Sequence, residues 1–77
     1  MNSGSGNLSI DAVEENIRLL IGEQNITYSD YARKIGINLS ALQNILNGIS
    51  KPRLDTLIKI ANIEGVSLDW LCTKKGK

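Results

Sequence analysis

Between Thr27 and Gly48, apolar residues recur at helical spacing in two short bursts, each stopped after about two turns. Thr27 is a good first residue for the earlier burst, because its hydroxyl can accept from the free amides of a helix's first turn. Tyr31, Ala32 and Ile35 then fall on one narrow face. Gly36 ends the segment, since glycine adopts the positive φ of a helix C-terminus without steric cost. Ile37 follows as an apolar plug, and Asn38 opens the second segment as its cap. Leu42, Ile45 and Leu46 make the buried stripe of that segment, which Asn47 and Gly48 close. This spacing predicts helices over 28–35 and 39–46.

Two short helices joined by a glycine-containing turn of about three or four residues form a helix-turn-helix. Small Ala32 suits such a unit, because helices crossing steeply need a side chain that lets their backbones approach. With Pro52, the residues Thr27, Ala32, Gly36, Ile37, Leu42, Asn47 and Gly48 resemble the pattern of phage repressors and Cro proteins, the XRE-type regulators. The runs Leu57-Ile58-Lys59-Ile60-Ala61 and Val66-Ser67-Leu68-Asp69-Trp70-Leu71 are similar to that family too. The likeness extends from about Ile10 to Thr73. It implies an all-α, compact five-helix, lambda-repressor-like DNA-binding domain, with the helix-turn-helix as its second and third helices.

The rest of the chain fits around this unit. A length of 77 residues points to one domain. So short a chain buries only about 60% of its unfolded surface, which implies a net stability of a few kcal/mol. Residues 1–8 read as an N-terminal arm, 9–73 as the domain and 74–77 as a basic tail. The arm has no Lys or Arg with which to enter a minor groove. A first helix over Ile10 to Gln24 keeps Ile10, Val13, Ile17, Leu20 and Ile21 on one face. Ser9 or Asp11 can cap it, and Gly22 weakens its last turn. A fourth helix runs from Arg53 or Leu54 to Ile63, with Leu54, Leu57, Ile58 and Ala61 inward, and Gly65 ends it. Ser67 caps a short fifth helix through about Cys72, with Leu68 and Leu71 facing the core.

Composition removes several function classes. With no histidine and one cysteine, neither a Cys/His zinc site nor an internal disulfide can form. No apolar run approaches the roughly 20 residues that span a bilayer, and the first residues do not form a signal peptide. The expectation is a cytoplasmic protein, bacterial or phage-encoded, without metal, cofactor or evident small-molecule ligand. Catalysis finds no support: there is no phosphate-cradling glycine loop and no nucleophile beside a base. Cys72 reads as a small apolar filler, with Lys74 and Lys75 as the one argument for a reactive thiol.

Charge is informative in its distribution. The net value is only +1. Residues 1–26 set Arg18 against Asp11, Glu14, Glu15 and Glu23, whereas residues 27–53 set Arg33, Lys34, Lys51 and Arg53 against Asp30 alone. The basic middle coincides with the helix-turn-helix. Lys34, more than Arg33, is expected to be a solvated charge only.

Reading DNA takes a helix that fits the major groove, side chains that reach base edges, and donors that hold phosphates. The second helix of the unit would enter the groove. Its outward face carries Leu39, Ser40, Gln43 and Asn44, with Ala41 at the edge. The amides of Gln43 and Asn44 can pair in a bidentate way with adenine, and Ser40 can bond several base edges; otherwise all three are a solvated polar face. The resemblance implies base contacts from Leu39, Ser40 and Asn44, though the family often has a polar residue where Leu39 stands. Leu39 can touch a thymine methyl or pack under Tyr28. The resemblance also implies phosphate contacts from Tyr28, Asn47, Lys51 and Arg53, with Tyr28 where relatives often carry glutamine. It further implies a homodimer on double-stranded DNA, joined near Glu64, Val66, Leu68 and Trp70. Trp70 can serve that face or the core. The resulting expectation is a repressor that binds a palindromic operator as a dimer. The rival is a protein-interaction module on the same scaffold, antitoxin-like or controller-like, with Leu39, Tyr28 and Ile49 as its contact patch.

Overall fold

A computed structural model describes residues 10–73, with side chains from residue 12 onward. The 1–8 arm, the Ser9 cap and the 74–77 tail lie outside the described residues, and the Asp11 cap and the inward Ile10 rest on side chains outside that description. Five helices follow in order: α1 (Ile10–Gln24), α2 (Tyr28–Ile35), α3 (Leu39–Leu46), α4 (Leu54–Glu64) and α5 (Leu68–Leu71).

The local chemistry of the sequence sets these bounds. Thr27, Asn38 and Ser67 hold extended backbone, and their side-chain oxygens accept from the amides of Asp30, Ala41 and Trp70 at 3.0, 2.8 and 2.9 Å. Gly36 and Gly65 close α2 and α4 at φ 79° and 70°. The next residue's amide reaches back in each case, Ile37 to the Ala32 carbonyl at 2.9 Å and Val66 to that of Ala61 at 3.0 Å. Helix α1 runs straight through Gly22 and ends instead on Asn25, at φ 56°. Asparagine is among the few residues besides glycine that enter the left-handed region readily.

Helix α2 packs on α3 and α4, while α1 lies against α3 and α5, and α4 against α5. The apolar stripes meet in one core of Val13, Ile17, Leu20, Ile21, Tyr31, Ala32, Ile35, Leu42, Ile45, Leu46, Leu57, Ile60 and Leu71. Trp70 and Cys72 pack against it half-buried, which supports the filler reading of Cys72.

Two expectations fail here. The inward stripe of α4 is Leu57, Ile60 and Ala61, while Leu54 is 63% exposed and Ile58 also faces out. Apolar residues at 54, 57, 58, 60, 61 and 63 allow two overlapping stripes, and packing against α2 and α5 selects one. Leu68 is exposed as well, because a four-residue α5 turns only Leu71 fully inward.

One polar residue sits inside the core boundary. Asn16, 1% exposed, donates from Nδ2 to the carbonyls of Leu71 at 2.6 Å, Thr73 at 2.9 Å and Trp70 at 3.2 Å. It thereby fastens the end of α5 to α1 and satisfies carbonyls that the helix terminus leaves open. No described helix is long and apolar enough to cross a membrane.

Candidate nucleic-acid interface

The face of α3 opposite the core presents Leu39, Ser40 and Gln43 to solvent, with Ala41 and Asn44 half-buried beside them. Leu39 is 38% exposed, as is Tyr28 at the start of α2. The side chains of Ser40, Gln43 and Asn44 make no hydrogen bond to any described residue. They remain open to a ligand, which is what base readout needs.

Asn44 differs from its neighbours. Its carbonyl accepts from the amides of Ile49 and Ser50 at 2.9 and 3.1 Å, which folds the α3–α4 loop back onto the helix. Asn44 also lines a cleft of about 250 Å³ together with Ile37, Ala41, Ile45, Ser50, Lys51, Arg53 and Thr56. The structure thus brings Asn44, Lys51 and Arg53 to one place. Both cations are exposed, and neither has a carboxylate within ion-pair distance among the described residues. Arg53 holds the N-cap position of α4 without a side-chain cap bond, so the first-turn amides of that helix add partial positive charge here.

At the other end of α3, Asn47 forms the C-cap and its amide donates to the Gln43 carbonyl at 2.9 Å. Its side chain is exposed and unbonded. Gly48 follows at φ 75°, and its amide donates to the Ile45 carbonyl at 3.2 Å. Arg18 of α1 reaches this end, with Nη2 donating to the Leu46 carbonyl at 2.6 Å and Nη1 to the Tyr28 hydroxyl oxygen at 3.3 Å. Sequence reasoning missed Arg18. The available signal was its isolation as the single cation in the acidic first 26 residues.

The other charged groups of the unit are paired. Arg33 lies 3.5 Å from the Asp30 carboxylate on the same helix. Lys34, expected to be solvated, instead sits 3.3 Å from the Glu64 carboxylate and donates to Gln24 Oε1 at 2.7 Å. Gln24 Nε2 in turn donates to Glu64 Oε1 at 2.9 Å. Burial alone would raise the Glu64 carboxyl, but bonding from Gln24, Tyr31 and Lys34 and the Lys34 charge hold it below its ordinary value. The same carboxylate and, above all, burial push the Tyr31 phenol far above the usual range. Tyr31 Oη and Glu64 Oε2 are both buried and lie outside ordinary hydrogen-bond geometry, so the Tyr31 hydroxyl is at most a weak donor to that carboxylate.

Of the four residues expected at a dimer face, Glu64 has its side chain only 7% exposed within this cluster. Val66 and Trp70 are half-buried and Leu68 is exposed, with Ile63 exposed nearby in sequence. Among the described residues, no group of three or more His, Cys, Asp or Glu side chains converges as a metal site would require.

A helix-turn-helix family profile matches residues 17–71, the span from mid-α1 through α5. The chain is also 39% identical over 67 residues to an uncharacterized HTH-type transcriptional regulator of Haemophilus influenzae. That match takes in 87% of this chain but 28% of the relative, so the chain spans less than a third of the length of the protein it resembles. No solved structure matches the chain significantly.

Proposed function

The chain belongs to the XRE-type helix-turn-helix family, and from that premise we propose that it is a sequence-specific double-stranded DNA-binding transcriptional regulator. The observation that carries this reading is the unbonded polar face of α3, flanked by the unpaired cations Lys51 and Arg53. Helix α3 enters the major groove, and Leu39, Ser40, Gln43 and Asn44 meet base edges. Tyr28, Asn47, Lys51 and Arg53 hold phosphates on either side and set the register. The regulator acts as a repressor, occupying an operator and excluding polymerase.

One recognition helix reads only a few base pairs, so a palindromic operator and a homodimer complete the proposal. Half-sites then lie about one helical turn, roughly 34 Å, apart. Val66, Leu68 and Trp70 offer the apolar surface for the dimer, and the buried Glu64 contributes little to it beyond its backbone.

The test is a selection from random duplex DNA with the wild type and Asn44→Ala side by side. Enrichment of a palindrome, with one position per half-site relaxed in Asn44→Ala, supports the whole reading. Enrichment of single half-sites removes the dimer and keeps the reader. Failure to enrich anything at moderate salt refutes the sequence-reading function.

A second reading has one observation in its favour. Leu39, Tyr28 and Ile49 are all exposed, Ile49 to 71%, and form apolar surface on the unit that would read DNA. In that case the domain binds a protein, and Leu39→Ser abolishes an interaction that persists without DNA.

A further inference from the structure

Arg18 belongs to none of the groups assigned to DNA on sequence, yet it joins the ends of α2 and α3. We infer that Arg18, Tyr28 and Asn47 form a single clamp for one phosphodiester of the DNA backbone, with Arg18 supplying its charge. The inference rests on the DNA-binding reading and deepens it.

Three observations support the clamp. The two acceptors of Arg18, the Leu46 carbonyl at 2.6 Å and the Tyr28 oxygen at 3.3 Å, are both neutral. No carboxylate of a described residue lies within ion-pair distance of the guanidinium; Glu14, one turn earlier on α1, approaches Gly48 instead. An arginine has five N–H donors, so this one keeps donors and a full charge in hand. Second, Tyr28 accepts from Arg18, which leaves its own O–H to donate to something else. Third, Asn47 directly follows Leu46 as the C-cap of α3, so an exposed, unbonded amide stands at the same helix end that Arg18 grips. Three donors gathered with no paired anion suit an acceptor-only, negatively charged group. A DNA phosphate is such a group, and arginine holds it with geometric as well as electrostatic preference.

This arrangement also ties phosphate binding to the pose of α3. The guanidinium grips the last carbonyl of the recognition helix, so a phosphate seated on Arg18 fixes the depth at which that helix enters the groove.

The experiment titrates a labelled random-sequence duplex with the full chain over a range of salt. It compares the wild type with Arg18→Gln, Arg18→Lys, Tyr28→Phe and the Arg18→Gln/Tyr28→Phe double variant, each checked for helicity by circular dichroism. Arg18→Gln is expected to lower the slope of log affinity against log salt by about 1, the loss of one phosphate neutralised. Arg18→Lys keeps the slope, because it keeps the charge, but binds more weakly. Tyr28→Phe weakens binding without changing the slope. The double variant loses less than the product of the two single losses, as members of one site do. A folded Arg18→Gln with the wild-type slope, or losses that simply multiply, overturns the clamp. Should Arg18→Gln fail to fold, Tyr28→Phe decides, and unchanged affinity overturns the proposal. If the wild type itself shows no salt-dependent duplex binding, the DNA-binding reading fails first; a clamp that fails alone leaves that reading standing.

Discussion

The two sides of the helix-turn-helix treat their polar groups in opposite ways. Where α2 meets the ends of α1 and α4, Lys34, Gln24 and Glu64 pair with one another, and Tyr31 is buried beside them. On the outer side of α3, Ser40, Gln43, Asn44, Asn47, Lys51 and Arg53 have no side-chain partner among the described residues. Both sides carry charge and amides, so residue type alone does not tell them apart. Pairing does. A network closed on itself contributes to folding, whereas donors left open on a rigid helix are available to a ligand. Changes on the first side should register in stability and changes on the second in binding.

The largest effect on folding is expected from Asn16, which closes the contact of α1 with the end of α5 as that cluster closes the α2 side. Asn16→Ala leaves the Leu71 carbonyl, buried at 2.6 Å from the lost donor, without its partner. An unsatisfied buried acceptor costs about 1–3 kcal/mol, a large share of the stability of so small a domain. Chemical denaturation should show the midpoint falling at an unchanged slope, and duplex affinity should hold wherever the variant is folded. A midpoint that does not move would mean that the α5 end is not fastened through Asn16.

On the open side, Asn44→Ala should do the reverse. We expect about 1–3 kcal/mol lost for the preferred duplex and almost nothing for a random one, with the unfolding midpoint unchanged. A fall in stability instead would show that Asn44 braces the cleft beside Lys51 and Arg53 more than it reads a base.

The contrast between the two sides was only half legible in the sequence. Helix limits were readable because they depend on local chemistry: Thr27, Asn38 and Ser67 act on amides three residues away. The exposed face of α3 was readable because Leu42, Ile45 and Leu46 fix its rotation. The face of α4 was not, since its apolar residues fit two stripes and only tertiary packing separates them. Bonds across long sequence separations were hidden for the same reason. Arg18 meets Leu46 28 residues on, and Lys34 meets Glu64 30 residues on, with no periodicity to announce either pair. Asn16 left a trace, a polar residue on the inward face of α1 between Val13 and Ile17, which marks a buried amide with a partner to find.

A smaller effect should come from acid titration of the closed cluster. The folded-state carboxyl of Glu64 lies below its ordinary value, so its stabilisation is fully present above the unfolded-state value near 4.5 and is lost as pH falls through the lower folded value. Glu64→Gln should therefore flatten the acid limb of a stability–pH profile while costing about 1 kcal/mol at neutral pH. Retention of the wild-type acid limb in Glu64→Gln would move the origin of that limb to other carboxylates. Because the cluster lies beside the proposed dimer surface, the same variant also asks whether Val66 and Trp70 need it to hold their pose.

The smallest effect, and the sharpest boundary between the two sides, belongs to Arg33. Its side chain is 77% exposed and its partner Asp30 is 51% exposed, at the long separation of 3.5 Å. An exposed i,i+3 pair of this kind contributes only a few tenths of a kcal/mol, because water screens the charges and both side chains give up rotamer freedom to meet. Arg33→Gln should accordingly leave the thermal midpoint almost unmoved. Its effect on DNA then depends on how far the open face extends. If Arg33 belongs to neither side, the salt slope of duplex binding stays at its wild-type value, in contrast to the drop expected for Lys51→Gln. A drop of about 1 in Arg33→Gln as well would mean that a phosphate displaces Asp30 as the partner of Arg33. The open surface would then run from α3 across the exposed side of α2, leaving only the Lys34–Glu64 cluster closed.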